Sequence, residues 1–113
     1  MITILKYELP KLDTGALREI EMPQGSRILA VQPQVVREVF AGPQGIPAFR
    51  QMSETVCLWA MSNTDESRKV RRMFRIYGTG KPIEEDPADL DYIGTVQTGP
   101  VVWHVFERKG ALP

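Results

Sequence analysis

The residues closest to a chemical device are Gly78-Thr79-Gly80-Lys81-Pro82, two glycines around a hydroxyl with a lysine behind them. A phosphate-cradling loop needs G-x-x-x-x-G-K-[ST] between a strand and a helix, so that backbone N–H groups and the lysine converge on the anion. Here the glycines stand too close together and Pro82 follows the lysine. The segment therefore reads first as a strand-ending turn that uses positive φ. What is left of the anion reading is a nest of N–H groups with Lys81 beside it. Just upstream, Arg71 and Arg75 share one face of a strand pattern with Met73 and Tyr77, while Arg72 shares the other with Val70, Phe74 and Ile76. Arginines interleaved with aromatic rings equip a nucleic-acid-binding sheet. Arg71, Arg75, Tyr77 and Lys81 are thus the candidate anion or nucleic-acid site. The competing reading is a solvated strand face whose arginines pair with the acidic stretch Glu84–Asp91.

Other reactive residue types are isolated. His104 is the single histidine and has no second His or Cys to complete a zinc site. No G-x-S-x-G or comparable element supplies a nucleophile for it. It reads as a packed or edge histidine bonded to a neighbouring strand. Asp86, Asp89 and Asp91 lack the spacing of a calcium loop, and Pro87 interrupts them. Cys57 lies in the apolar run Val56-Cys57-Leu58-Trp59-Ala60 and reads as a small buried hydrophobe. The expectation is no catalytic residue, no metal, no cofactor and no enzyme.

The elements that would hold these residues are strands. Phe74–Arg108 gives three short strand-like runs with glycine and proline punctuation, and Leu90–Gln97 with Val101–Glu107 reads as a hairpin around Thr98-Gly99-Pro100. Ile2–Leu9 alternates up to Pro10, which cannot donate to a ladder. Leu17–Met22 with Arg27–Gln32 reads as a second hairpin, and Thr55–Met61 with Val70–Tyr77 as a third. The fold class is all-β: a small antiparallel sandwich or partly open barrel of about six to seven strands. Trp59 and Trp103 are expected as core anchors. Segment 33–41 stays open. Val35, Val36, Val39 and Phe40 sit at helical spacing with Gly42-Pro43 as a stop, which leaves room for one short helix, yet the same residues are β-branched and alternate.

At 113 residues the chain reads as one domain, and fourteen Lys/Arg against fourteen Asp/Glu leave no net charge to attract nucleic acid or an anionic membrane. No apolar stretch approaches the ~20 residues of a membrane helix, and no signal pattern opens the chain. One cysteine excludes an intrachain disulfide, so a reducing, cytoplasmic setting is expected.

Five segments occur in an order with a resemblance: Glu21-Met22-Pro23-Gln24-Gly25 with Ile28–Gln32, Leu58-Trp59-Ala60, Phe74–Gly80, Tyr92–Gln97 and Val102–Glu107. The chain resembles a family of small uncharacterised proteins encoded by tailed bacteriophages and prophages. Members of that family join the strands flanking 33–54 by a shorter link, so 33–54 reads as an insertion. The resemblance implies a phage accessory protein in the bacterial host cytoplasm and carries over no functional residue. The leading expectation is a non-catalytic protein that binds a host or phage protein, such as a component of a host defence system. Val36, Phe40, Ile46 and Phe49 in the insertion are its candidate contacts. The alternatives are a nucleotide- or RNA-binding module on Arg71, Arg75 and Lys81, and a minor virion or assembly component. An open sheet edge would also permit a homodimer by strand pairing.

Overall fold

The structure, a computed structural model, describes residues 1–10 and 12–110, with the side chains of 35–40 and 47–54 outside the described part. Seven strands run in chain order: β1 Ile2–Leu9, β2 Ala16–Pro23, β3 Arg27–Ala41, β4 Pro47–Asn63, β5 Lys69–Gly78, β6 Leu90–Thr98 and β7 Val101–Arg108. They form two antiparallel sheets, β1-β4-β3 and β2-β5-β7-β6, so the sandwich alternative holds and the barrel does not.

Period-two alternation builds the interface between the sheets. Val56 and Leu58 of β4 pack with Phe74 and Ile76 of β5, Val105 of β7 and Met22 of β2, and Ala60 of β4 is fully buried. Burying a side chain such as Phe74 contributes about 2–3 kcal/mol. The alternate residues of β4, Cys57, Trp59 and Met61, lie on the opposite face of the three-stranded sheet. Trp59 is therefore a half-buried outer-face residue, not a core anchor. Trp103 does pack against the core. Cys57 is buried, as expected, covered on that outer face with its Sγ 3.6 Å from Gln34 Oε1.

Two expected hairpins are corrected. β2 pairs with β5 and β3 with β4, so the Pro23–Ser26 turn carries the chain from one sheet to the other. Thr55–Met61 and Val70–Tyr77 likewise lie in different sheets. A turn signal fixes chain reversal but not which strand receives the hydrogen bonds. Here the reversals are sandwich corners. The Ser26 hydroxyl donates to Pro23 O at 2.6 Å and meets Ser62 Oγ at 2.8 Å across the gap, and Gln24 N–H donates to Arg68 O at 2.9 Å. The β6–β7 hairpin forms as expected.

Segment 33–41 is strand, not helix. β3 and β4 continue their ladder from Pro33 opposite Val56 to Ala41 opposite Pro47, with one register shift between Val36 and Arg37. β1 stops at Leu9 opposite Val56. Residues 34–41 and 47–55 therefore form a two-stranded arm about 25 Å long at ~3.3 Å per residue. A single 3₁₀ turn, Pro43–Gly45, closes its tip, where Gly42 N–H donates to Ile46 O at 2.7 Å.

Candidate functional site

Two regions hold the residues singled out in the sequence. The first is the arm. Its register sets Val39 opposite Phe49, Phe40 opposite Ala48, Glu38 opposite Arg50 and Val36 opposite Ser53. The side chains of Val36, Phe40 and Phe49 lie outside the described residues. Ile46 is described: it sits at the tip and is 63% exposed.

The second region is a cleft at the end of the sandwich where β5 gives way to the β5–β6 loop. Arg75 and Tyr77 project from β5 on the face away from the core. The acidic loop folds back over that face, pinned by one residue. Glu85 takes an ion pair from Arg75 Nε, faces Arg108 Nε at 3.5 Å and lies 3.4 Å from the Tyr77 hydroxyl. Arg75 Nη1 also donates to Gly15 O at 3.0 Å. Thr14, Gly15, Arg75, Tyr77, Lys81 and Glu84 line a cavity of ≈ 290 Å³ beside Glu85. A second hollow of ≈ 400 Å³, with Trp103 and Val101 on its wall, shares Thr14 and Lys81 with it. Lys81, at the junction, is exposed.

Three of the four candidate anion-binding residues, Arg75, Tyr77 and Lys81, thus meet in one place. Arg71 does not: it pairs with Glu19 at 3.1 Å and borders a separate groove with Arg72 and Asp91. The expected pairing of strand arginines with Glu84–Asp91 is present for Arg75. The turn reading of Gly78–Gly80 fits Gly80, whose φ of 81° is the left-handed region glycine tolerates.

Burial, and after it the negative charge of Glu85, raises the Tyr77 phenol above its ordinary value of 10.0, with Arg75 opposing. A raised folded-state value means the folded protein holds this proton longer than the unfolded chain. The stability it contributes is fully present below about pH 10 and is lost as pH climbs through the folded value. Urea midpoints measured upward from about pH 9 are expected to fall more steeply for the parent protein than for Tyr77→Phe. Equal slopes would show that Tyr77 does not titrate in this window.

His104 is held by its neighbours as expected, though by hydroxyls: Nε2 lies 2.7 Å from Thr79 Oγ1 and Nδ1 3.0 Å from Thr95 Oγ1 on β6. The Tyr92 hydroxyl extends the chain, 2.6 Å from Thr95 Oγ1. No carboxylate bonds to the ring among the described residues, so this is an orienting chain on a sheet face, without the acid partner of a nucleophile–base pair. Asp86 uses its carboxylate locally, accepting from Ala88 N–H at 3.0 Å. Among the described residues, no three His, Cys, Asp or Glu side chains gather into a metal-binding group, and no helix is long and apolar enough to cross a membrane.

Sequence reasoning passed over Glu85, Thr14 and Trp103 as neighbours of Lys81. Only the first carried a signal, as the acid nearest the arginine–tyrosine face. The other two are brought in by sheet topology.

A family model described as a domain of unknown function, DUF7352, matches residues 1–112. The chain belongs to the DUF7352 family. The DUF7352 match runs through the β3–β4 arm as well as the sandwich, so the arm lies within the matched span. No curated protein and no solved structure matches the chain.

Proposed function

We propose that this DUF7352 protein is a non-catalytic accessory protein of a tailed bacteriophage or prophage. It acts in the host cytoplasm by occupying the surface of a partner protein, such as a component of a host defence system. The observation that carries this reading is the β3–β4 arm. Two strands leave the three-stranded sheet beyond Leu9 and Val56 and continue, among the described residues, with no third strand beside them. An isolated two-stranded ladder is marginally stable in water, and a partner lying against it would supply the missing burial. The sequence of the arm, with Val39 opposite Phe49 and Ile46 at the tip, suits an apolar contact. Occlusion needs only a surface, which agrees with the scattered reactive residues.

The test replaces residues 35–54 by Asn-Gly, which closes Gln34 and Thr55 with a type I′ turn and leaves the β1–β4 pairing intact. Parent and shortened proteins are used as bait in a lysate of the bacterial host. The expected result is a stoichiometric protein that survives high salt with the parent and is lost with the shortened form, whose thermal midpoint stays within a few degrees. A partner retained by the shortened form overturns the assignment to the arm.

The junction at Lys81 favours one second reading, a nucleotide- or RNA-binding site on Arg75, Tyr77 and Lys81. Material absorbing at 260 nm that is released by salt, with no protein partner, would support it.

A further inference from the structure

The three-stranded sheet has a free margin at β1. In the β1–β4 ladder, Thr64 N–H donates to Met1 O at 2.8 Å, one step beyond the pair Ile2–Asn63. Hydrogen-bonded and non-hydrogen-bonded positions alternate in an antiparallel ladder. Thr3, Leu5, Tyr7 and Leu9 therefore bond toward β4, and Ile2, Ile4, Lys6 and Glu8 aim their N–H and C=O groups outward. No strand pairs with that side, and none of those outward groups has a backbone partner among the described residues. β1 has eight residues with no bulge and no internal proline, and it carries exposed Ile2 and Ile4 (70% and 58%) on its outer face. An edge of this length and character is a template for another strand.

The charges on the edge say which strand. Two copies of β1 can meet antiparallel about a two-fold axis only in registers that place outward-bonding residues opposite one another. The register centred on residue 6 sets Lys6 against Lys6. The one centred on Leu5 sets Lys6 against Ile4 and Glu8 against Ile2. The register centred on Tyr7 sets Lys6 against Glu8 and Glu8 against Lys6, two ion pairs from one symmetric contact, with Leu5 opposite Leu9 on the inner face. We propose that β1 pairs with β1 of a second copy of this chain in the Tyr7-centred register. The two three-stranded sheets then become one six-stranded sheet, β3-β4-β1-β1-β4-β3. This assignment is independent of the partner assigned to the arm.

The test is sedimentation of the full chain across a concentration series, with circular dichroism to confirm folding of each variant. The parent is expected to form dimers. Lys6→Glu and Glu8→Lys each turn two attractive pairs into two repulsive ones and should weaken dimerisation about tenfold or more. An equimolar mixture of the two single variants should form a heterodimer. The Lys6→Glu chain is acidic at both edge positions and the Glu8→Lys chain is basic at both, so each pair across the axis is attractive again. The double variant should recover the homodimer. A parent that stays monomeric at millimolar concentration overturns the proposal and leaves the edge to a strand of a different protein. A dimer indifferent to both single variants, or a mixture that fails to pair, overturns it as well.

Discussion

Arg72→Leu is expected to lower the thermal midpoint by about 10 °C, the counterpart of ~3 kcal/mol in a domain of this size. Arg72 lies on the core-facing side of β5, between Val70 and Phe74 in the alternation, and turns its guanidinium toward the end of the sandwich. There it grips Glu107 of β7 at both oxygens, Nε to Oε2 and Nη2 to Oε1, each at 2.6 Å. Its remaining nitrogen, Nη1, donates to Ser26 O at 2.5 Å and approaches Met22 Sδ at 3.4 Å. One side chain thus joins β5, β7 and the corner between β2 and β3. Both partners are about four-fifths buried, at 20% and 18% exposure, so solvent screens the pair far less than an exposed one. Removing the arginine leaves the Glu107 carboxylate without compensation and Ser26 O without its donor. Arg72→Lys keeps the charge but not the planar fork, and should recover less than half of the loss. The double variant Arg72→Leu/Glu107→Leu should be more stable than the sum of the singles predicts, because no lone charge is left behind. Urea denaturation of the four proteins measures this cycle. A cost below about 1 kcal/mol for Arg72→Leu would place the pair with ordinary surface ion pairs.

Gly94→Ala is the second large effect, an expected loss of ~2 kcal/mol from overpacking. Gly94 follows the irregularity in β6, where the register against β7 shifts between Tyr92 and Gly94. There the β6 backbone lies close against Val31 of β3. A Cβ added at Gly94 would lie 2.4 Å from Val31 Cγ1. Val31 is 8% exposed, and its β-branched side chain has little rotamer freedom with which to retreat. Either the two sheets separate at this seam or the valine leaves its well. Val31→Ala should suppress the effect: in that background Gly94→Ala is expected to cost almost nothing, although Val31→Ala alone is destabilising through the cavity it opens. Thermal melts of the two singles and the double decide it. Equal costs of Gly94→Ala in both backgrounds would show that the contact with Val31 is not its cause.

The strand content was legible because alternation at period two is a local property, and every expected strand appears. Pairing was legible only where partners are neighbours in the chain, as in β6–β7. At Pro23–Ser26 and at 63–68 the same turn residues serve corners between sheets, and nothing local distinguishes a corner from a hairpin. Segment 33–41 was ambiguous because four apolar residues fit both periods. The long-range match of β3 to β4, residue by residue up to Ala41 and Pro47, decided it. Arg72 was visible in the sequence as a charge on an apolar face, although its partner Glu107, on β7, was not. Of the cleft, Arg75, Tyr77 and Lys81 were legible as close neighbours in the chain. Thr14 and Trp103 arrive through β2–β5 and β5–β7 pairing, which the sequence does not announce.

The strand order also sets a schedule for folding. Of all neighbouring pairs in the two sheets, only β3–β4 and β6–β7 join strands consecutive in the chain. Those two hairpins can close within microseconds, while the distant pairings wait on the entropy of long loops. β2 must wait for β5, and β1 for the second half of β4, which is made only after β2 and β3. On the ribosome the arm can therefore be complete before β1 has any partner at all. β1, an edge strand of the finished sheet, therefore waits about as long as β2 for a partner while the protein is being made, since Leu9 pairs with Val56 and Pro23 with Lys69.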